Sequence, residues 1–569
     1  MGFVMDGGGN MTAVRQILPA NSAALVLAKI LDCRRTPPGL CLPEPYKTLA
    51  EAMLACPPDR MQRSRALKAA LDGMNGDSAQ IRAEILGANP ESVLDPVDLL
   101  PKKDIPFEQI KQAFDEQESG DARLLASLAE NRAVFDHAHG AWYLWTGHHW
   151  QADQNGFMYR VVSNELAPLY LRAAATAQES DNSELSKALT KRAAALRTKK
   201  RMDAVIFLAA RTDSLALTGN EWDGNPLLLG VKNGVIDLQT GEFRAGKPED
   251  YILSYAPTDW RGIDEPAPRW TAFLDDIFSG DNALCDFVQR LFGYGISGKK
   301  TERILPILWG EGANGKSTML EVISHVLGAG LAMSSQADAL MDIQKGGDGP
   351  RPFVYALKGK RMVWASESNE GRRINAGLVK QLTGNDRIAV RTLHTLPIEF
   401  TPTHLIMLLT NHKPHAPADD QAFWDRVILL PFLCRFVENP KDGEKKRDRD
   451  IQDKLKAEAP GILAWLVRGY LAWKTEGLNP PESVKQATRD YQQSEDTLGQ
   501  FISDSCIVAD GAKVAACALY EQYKRWCADN NIPAMTGTAF GNHLTRRFPN
   551  KKRVGNCQTY FGIGLASNG

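Results

Sequence analysis

Residues 310–318 read Gly-Glu-Gly-Ala-Asn-Gly-Lys-Ser-Thr, a complete G-x-x-x-x-G-K-[ST]. Side chains of these types at this spacing hold phosphate. Gly310, Gly312 and Gly315 let the backbone curl until its amides, with those of Ala313, Asn314 and Thr318, surround phosphate oxygens. The helix that follows aims its positive N-terminus at the same point. Lys316 then reaches the β- and γ-phosphates, and the Ser317 hydroxyl coordinates a divalent ion, so the predicted cofactors are ATP and Mg2+. A nucleotide hydrolase also needs a carboxylate at a neighbouring strand end, to hold Mg2+ through water or to polarise the attacking water. Glu367 fits, because it closes the run Arg361-Met362-Val363-Trp364-Ala365-Ser366. Ser366 stands where many such enzymes place Asp, and Glu370 is a second candidate, in the loop beyond. Asn411, after the apolar run Leu405 to Leu409, can hydrogen-bond the γ-phosphate or orient the lytic water. Arg426 precedes the run Val427 to Leu430 and is placed to reach a neighbouring subunit's nucleotide as a finger. Lys316, Glu367, Asn411 and Arg426 are therefore the predicted catalytic set, with Ser317 and Glu367 at the metal.

These residues need a rigid frame. Between 301 and 436 apolar runs end in polar motifs, at Ile304 to Trp309, Arg361 to Ala365, His404 to Thr410 and Val427 to Pro431. Such runs, separated by helical segments, are what a buried parallel sheet requires, and they predict an α/β core with a helix from Ser317 to Leu327. Between Glu367 and Asn411 lies Lys380-Gln381-Leu382-Thr383-Gly384-Asn385-Asp386. The alternating stretch Ile388 to Phe400 comes next and predicts a hairpin whose tip is near His394.

The 569 residues are too many for a single core and predict several domains. Residues 1–120 read as short helices broken at Pro37-Pro38-Gly39 and Asn75-Gly76-Asp77, without visible chemistry. Trp142, Tyr143, Trp145 and Trp150 around Thr146-Gly147 predict a β-hairpin. Residues 160–217 read as helical, and their basic run Arg197, Lys199, Lys200, Arg201 is taken as a solvated helix face rather than a DNA contact. Gly230 to Arg244 predicts two short strands about Gln239-Thr240-Gly241. The proline-rich stretch 256–270 closes this domain, Lys441 to Asp450 reads as an exposed loop, and helices continue to 497. From Phe501 onward eight Lys/Arg face four Asp/Glu. Two helices, Ala516 to Cys527 and Thr538 to Phe548, and a strand pair ending at Tyr560-Phe561-Gly562 predict a winged helix, with Lys551, Lys552 and Arg553 in the wing turn against duplex DNA.

Composition narrows the classes further. With 67 Lys+Arg against 68 Asp+Glu the net charge is −1, so any nucleic-acid binding must come from local basic surfaces. No apolar run is long enough for a membrane span and no signal peptide shows, which predicts a cytoplasmic protein with no membrane partner. Nine cysteines without a C-x-x-C pair predict reduced thiols and no zinc site.

Taken in order, the P-loop, the Ser-Glu strand end, K-x-L-T-G-x-D with its hairpin, the strand ending in Asn, and Trp424-Asp425-Arg426 before Pro431-Phe432 resemble the superfamily 3 helicases. More narrowly, they resemble the primase-helicases of phages, plasmids and poxviruses. The likeness extends upstream through Asn233-Gly234-Val235-Ile236-Asp237-Leu238 and Gly293-Tyr294, and downstream into the tail. The chain departs from the family at Asn385, where the family usually repeats Gly. The resemblance implies a homo-hexameric AAA+ ring that hydrolyses ATP between subunits and moves along single-stranded DNA, generally 3′ to 5′, in the replication of a mobile element within a bacterial cytoplasm. It also implies that Lys380 and His394 face DNA in the pore. The implied layout is a helical region at 1–120, the family's α+β domain at 121–265, a helical collar at 266–300, the ATPase core at 301–436, a helical segment at 437–497 and the winged helix at 498–569. Primer synthesis is expected of a separate primase or polymerase, since no persuasive paired-carboxylate site precedes the aromatic segment. Two other readings remain open: a P-loop kinase, and an origin-binding initiator or loader that assembles on duplex DNA with little unwinding.

Overall fold

The computed structural model describes residues 3–5, 11–13, 104–342, 351–367, 371–391, 398–530, 532–555 and 557–566. They fall into two units, one ending at Trp260 and one beginning at Arg261. Strands β1 (Phe3–Met5) and β2 (Met11–Ala13) pair antiparallel where the sequence suggests helix. The intervening Gly7-Gly8-Gly9 is a poor helix former, which accounts for the difference. Most of the helical reading of residues 1–120, including both turn signals, lies outside the described residues.

In the first unit, helices Phe107–Asp115, Gln117–Ala129, Ala167–Glu179, Ser183–Ala195 and Lys199–Ala209 enclose an apolar core that includes Phe157, Leu166, Tyr170 and Leu189. One carboxylate lies inside it. Asp121 accepts hydrogen bonds from the Tyr170 hydroxyl (2.5 Å), Arg192 (3.1 Å) and Arg201 (2.6 Å), and these satisfy a charge that would otherwise be costly to bury. Arg201, the last member of the basic run, therefore points inward. The aromatic hairpin forms as expected, in a sheet of order β5-β4-β3-β6 built from β3 (Ala133–Asp136), β4 (Ala141–Trp145), β5 (Trp150–Ala152) and β6 (Ala216–Leu217). Trp145 and Trp150 lie 5.4 Å apart at an angle, an arrangement favoured over face-to-face stacking. A second sheet has the order β10-β7-β8-β9, from β7 (Leu228–Val231), β8 (Gly234–Asp237), β9 (Glu242–Arg244) and β10 (Tyr255–Ala256).

The second unit is organised by a five-stranded parallel sheet. Its strands are β11 (Leu305–Trp309), β12 (Ala332–Gln336), β13 (Met362–Glu367), β16 (Leu405–Thr410) and β17 (Val427–Pro431). The order is β12-β13-β16-β11-β17 and every pairing is parallel. All six residues of β16 are buried, which is why its sequence is a continuous apolar run and not an alternation. Parallel strands end on one edge, so the turn after β11, the last residue of β13 and the residue after β16 share it, and ligands of open α/β sheets bind at that edge. Strands β14 (Ile388–Val390) and β15 (Ile398–Phe400) form the expected antiparallel hairpin; its tip, with His394, lies outside the described residues.

Helices Asn282–Ile296 and Ala459–Glu476 cross closely because glycines meet there. A Cβ on Gly293 would lie 2.1 Å from the Tyr470 nitrogen, and one on Gly469 would lie 2.1 Å from the Gln289 oxygen. The stretch read as a loop at 441–450 contains β19 (Glu444–Lys446), parallel to β18 (Arg435–Val437). Its charges find partners: Glu444 meets Arg435 at 3.5 Å and Lys445 pairs with Asp276, so a two-stranded ribbon tolerates a sequence with no apolar signal.

The tail runs helix, strand, helix, helix, strand, strand. Helices Thr497–Ser505, Ala516–Asp529 and Gly537–Arg547 pack on a sheet of order β20-β22-β21, from β20 (Cys506–Ala515), β21 (Lys551–Val554) and β22 (Cys557–Leu565). Phe501, Tyr523, Phe540 and Tyr560 form its core. Lys551, Lys552 and Arg553 lie within β21 and not in the turn, because the register Lys551↔Tyr560 to Val554↔Cys557 carries the pairing past all three.

Candidate nucleotide site at the sheet edge

The P-loop bends as its glycines demand. Gly312, Ala313 and Gly315 have φ of 68°, 49° and 85°, in the left-handed region; Ala313 occupies it without being glycine, a strain typical of ligand-binding turns. Gly310 admits no side chain, since a Cβ there would lie 2.2 Å from the Phe432 carbonyl oxygen. The Ala313 carbonyl accepts from Phe436 N (2.8 Å) and Asn314 Nδ2 donates to Phe432 O (3.1 Å), which tie the loop to the chain leaving β17. Helix Lys316–Leu331 starts here, with Gly315 as its left-handed N-cap and Ser317 and Thr318 in its first turn.

Lys316 is buried, with 5% of its surface exposed. Its Nζ donates to Gly310 O (2.5 Å), Asn314 Oδ1 (3.1 Å) and Asn411 Oδ1 (3.3 Å). Three neutral oxygens thus surround a cation that the sequence assigns to phosphates, and Asn411 is one of them. Burial pulls the ammonium down to about 8. A bound triphosphate would restore the proton, so above that pH the complex holds more protons than the free protein and affinity must fall as pH rises. Between pH 8 and 10 the dissociation constant of a non-hydrolysable ATP analogue should rise by up to about tenfold per unit. Titration calorimetry at pH 9, in buffers of different ionisation enthalpy, should register uptake of nearly one proton; a flat affinity without uptake would contradict this account.

Glu367 is the last residue of β13 and its Cα partners that of Thr410, one residue before Asn411. The backbone thus brings the predicted carboxylate position to the same edge; Glu370 lies outside the described residues. Ser317 opens into a cavity of about 510 Å3 lined also by Glu321, Ser334, Trp364 and Ser366. A larger one, about 850 Å3, adjoins Asn411 and is lined by Trp309, Glu311, Gly371, Lys413 and His415; both volumes suit a small organic ligand. Lys413 and Glu321 were not evident as site residues. Lys413 Nζ sits 4.5 Å above the Trp309 ring, and the only sequence signal is its position two residues beyond Asn411. Glu321 lies one helical turn past Ser317, the spacing that puts two side chains on one face.

Arg426 is elsewhere. Its carbonyl accepts from Leu305 N (2.7 Å) at the start of β11, so the five residues of that strand, about 16 Å at ~3.3 Å each, separate it from its own P-loop. Its guanidinium donates to the Ala422 carbonyl, and Nε is buried with no partner among the described residues. Lys380, predicted to face DNA, donates to Asp420 at 2.7 Å. The neighbouring Asp419 takes His543 (2.6 Å) and Arg546 (2.7 Å) from the tail, and Arg547 pairs with Asp496 (2.6 Å). Lys551, Lys552 and Arg553 are exposed along β21.

Three known families match in succession: "D5 N terminal like" over residues 122–279, a family of unknown function (DUF5906) over 308–426, and "Poxvirus D5 protein-like" over 493–561. The second spans the P-loop to Arg426. Among curated proteins, "Putative helicase L207/L206" of Acanthamoeba polyphaga mimivirus is 29% identical over 324 residues, covering 54% of this chain and 34% of that protein. "Putative helicase 121R" of Invertebrate iridescent virus 3 is 25% identical over 334 residues, 53% of this chain and 35% of the relative. "Putative primase C962R" of African swine fever virus is 24% identical over 372 residues, 58% and 37%. The chain thus spans about a third of the length of the curated relatives it matches. No described helix is long and apolar enough to cross a membrane.

Proposed function

From the premise that the chain belongs to the phage and poxvirus primase-helicase family, we propose that it is an ATP-driven DNA helicase with an AAA+ core, working as a homo-hexamer on single-stranded DNA. The observation that carries this reading is the strand order β12-β13-β16-β11-β17, which gathers Lys316, Asn411 and the Glu367 position at one edge and leaves Arg426 at the other. An arginine so far from its own P-loop serves hydrolysis only from an adjacent subunit, and such a division of labour makes a ring the working unit.

The residues present fit ATP with Mg2+. The left-handed loop brings its backbone round to the start of the helix, Lys316 offers a buried ammonium and Ser317 a hydroxyl, with the Glu367 position at the same edge. Bound Mg2+ would neutralise charge on the phosphates. Lys316 would exchange its three oxygen partners for phosphate oxygens. Asn411, released from Lys316, would then orient the attacking water that Glu367 polarises. Arg426 of the adjacent subunit would complete the site on closure, and hydrolysis would loosen the hairpin β14–β15 from the strand it grips. Movement 3′ to 5′ is proposed from the family resemblance alone. The element order of the tail suits a winged helix, with Lys551, Lys552 and Arg553 on β21 contacting duplex phosphates. Primer synthesis is not assigned to the described residues.

The test is single-strand-stimulated ATP hydrolysis and fork unwinding by the purified chain, with particle images taken in the presence of nucleotide. Closed rings that unwind forks are expected. A persistent monomer with nucleotide and DNA present, or stimulation of hydrolysis without strand separation, would reject the helicase reading, the latter in favour of the loader.

A further inference from the structure

The basic run of the first unit carries more than a solvated helix face. Arg201 turns in to Asp121, while Arg197, Lys199 and Lys200 remain exposed. On helix Lys199–Ala209, positions 200, 203, 207 and 211 succeed one another at three- and four-residue steps and so share one face, with 211 just past the helix end. That face presents Phe207, 57% exposed, and the Arg211 guanidinium lies 3.5 Å over its ring. Arg211 Nη1 donates to the Phe207 carbonyl at 2.7 Å and so stays in place. Beside them, Tyr159 of helix Phe157–Val161 is 45% exposed and its hydroxyl donates to Asp203 at 2.8 Å. Two aromatic rings therefore flank one carboxylate, each held in position by a polar contact and each open to water.

Exposed rings of this size are unfavourable in water unless something covers them. Their surroundings identify what. Arg197, Lys199, Lys200 and Arg211 outnumber Asp203 and the nearby Asp213, which disfavours a second copy of a chain whose net charge is −1 and favours a polyanion with flat apolar parts. The geometry points to this face as a binding surface for single-stranded nucleic acid, with bases stacked on Tyr159 and on the Phe207–Arg211 pair and phosphates on Lys199 and Lys200. A duplex fits worse, because its bases are already stacked. The surface belongs to the first unit, and its existence does not depend on the P-loop or on the proposed helicase activity.

Photo-crosslinking of the full chain to an oligothymidylate carrying 5-iodouracil, without nucleotide, tests this directly. Cross-linked peptides should contain Tyr159 or Phe207. Replacing Phe207 and Arg211 together by Ala should weaken oligothymidylate binding about tenfold in fluorescence anisotropy, the loss expected for about one stacked base, and should leave DNA-independent ATP hydrolysis unchanged. The charge-reversed pair Lys200→Glu with Arg211→Glu, which removes no ring, should weaken it as well. Unchanged affinity in both variants, with cross-links only elsewhere, would overturn the proposal. So would unchanged affinity together with lost self-association in sedimentation, which would assign the face to a second copy.

Discussion

Lys316→Ala should abolish ATP hydrolysis and fork unwinding while leaving DNA binding by the tail intact. Under the proposed reading the Lys316 ammonium would meet the phosphates, and its removal would delete electrostatic stabilisation where charge develops during transfer. Loss of one such preorganised donor costs on the order of 10²–10³ in rate. The substitution should do little to the fold. Gly310 O and Asn314 Oδ1, both buried, and the exposed Asn411 Oδ1 lose a donor; water can replace the bond at Asn411, and removing the buried ammonium also removes its own desolvation cost, which offsets the loss at the other two. Thermal denaturation should therefore be nearly unchanged, and steady-state hydrolysis with a forked substrate supplies the readout. Unwinding that survives in this variant would end the helicase reading.

The second large effect is expected at Arg426. Arg426→Ala should lower hydrolysis by about 10³–10⁵, the range known for arginine fingers, although the residue is remote from its own P-loop. Nucleotide affinity should change far less, because the finger meets the transition state and not the ground state. Mixing separates action between subunits from a structural defect. A Lys316→Ala subunit still offers its Arg426 to a neighbour, and an Arg426→Ala subunit still has a complete P-loop. In rings assembled from equal parts of the two inactive variants, about a quarter of the seams pair an intact loop with an intact arginine, as head-to-tail contacts require. Hydrolysis should return to about that fraction. No recovery from co-assembled rings would show that Arg426 does not act in trans.

The frame of the site was readable because its causes are local. Apolar runs such as Leu405 to Leu409 announce strands covered on both faces, and the Gly-Lys-Ser triplet fixes the turn and helix start after β11. Residues whose surroundings come from afar were not readable. Nothing near Lys380 in the sequence announces its pairing with Asp420, forty residues on. Arg201 looks like its neighbours in the basic run, yet Asp121, eighty residues away in the chain, turns it inward. Strand β19 has no apolar alternation to reveal it, and β21 holds, with Val554, the three cations that had suggested a turn. Phe207 gave no signal either, since exposure is decided by which helix face the rest of the unit leaves uncovered.

The adjacent carboxylates Asp419 and Asp420 have a consequence for how DNA binding responds to salt. Each cation that neutralises a backbone phosphate ordinarily sets free a counterion, and the slope of affinity against ionic strength counts these releases. Lys380 and Arg546 are already matched with Asp420 and Asp419, so taking hold of a phosphate would leave Asp420 without its lysine and Asp419 with His543 alone, and the freed charge would recruit a cation from solution. The net release is smaller by that recapture. The chain should therefore show a shallower salt dependence than its basic residues suggest, and replacing Asp419 and Asp420 by Asn would steepen it.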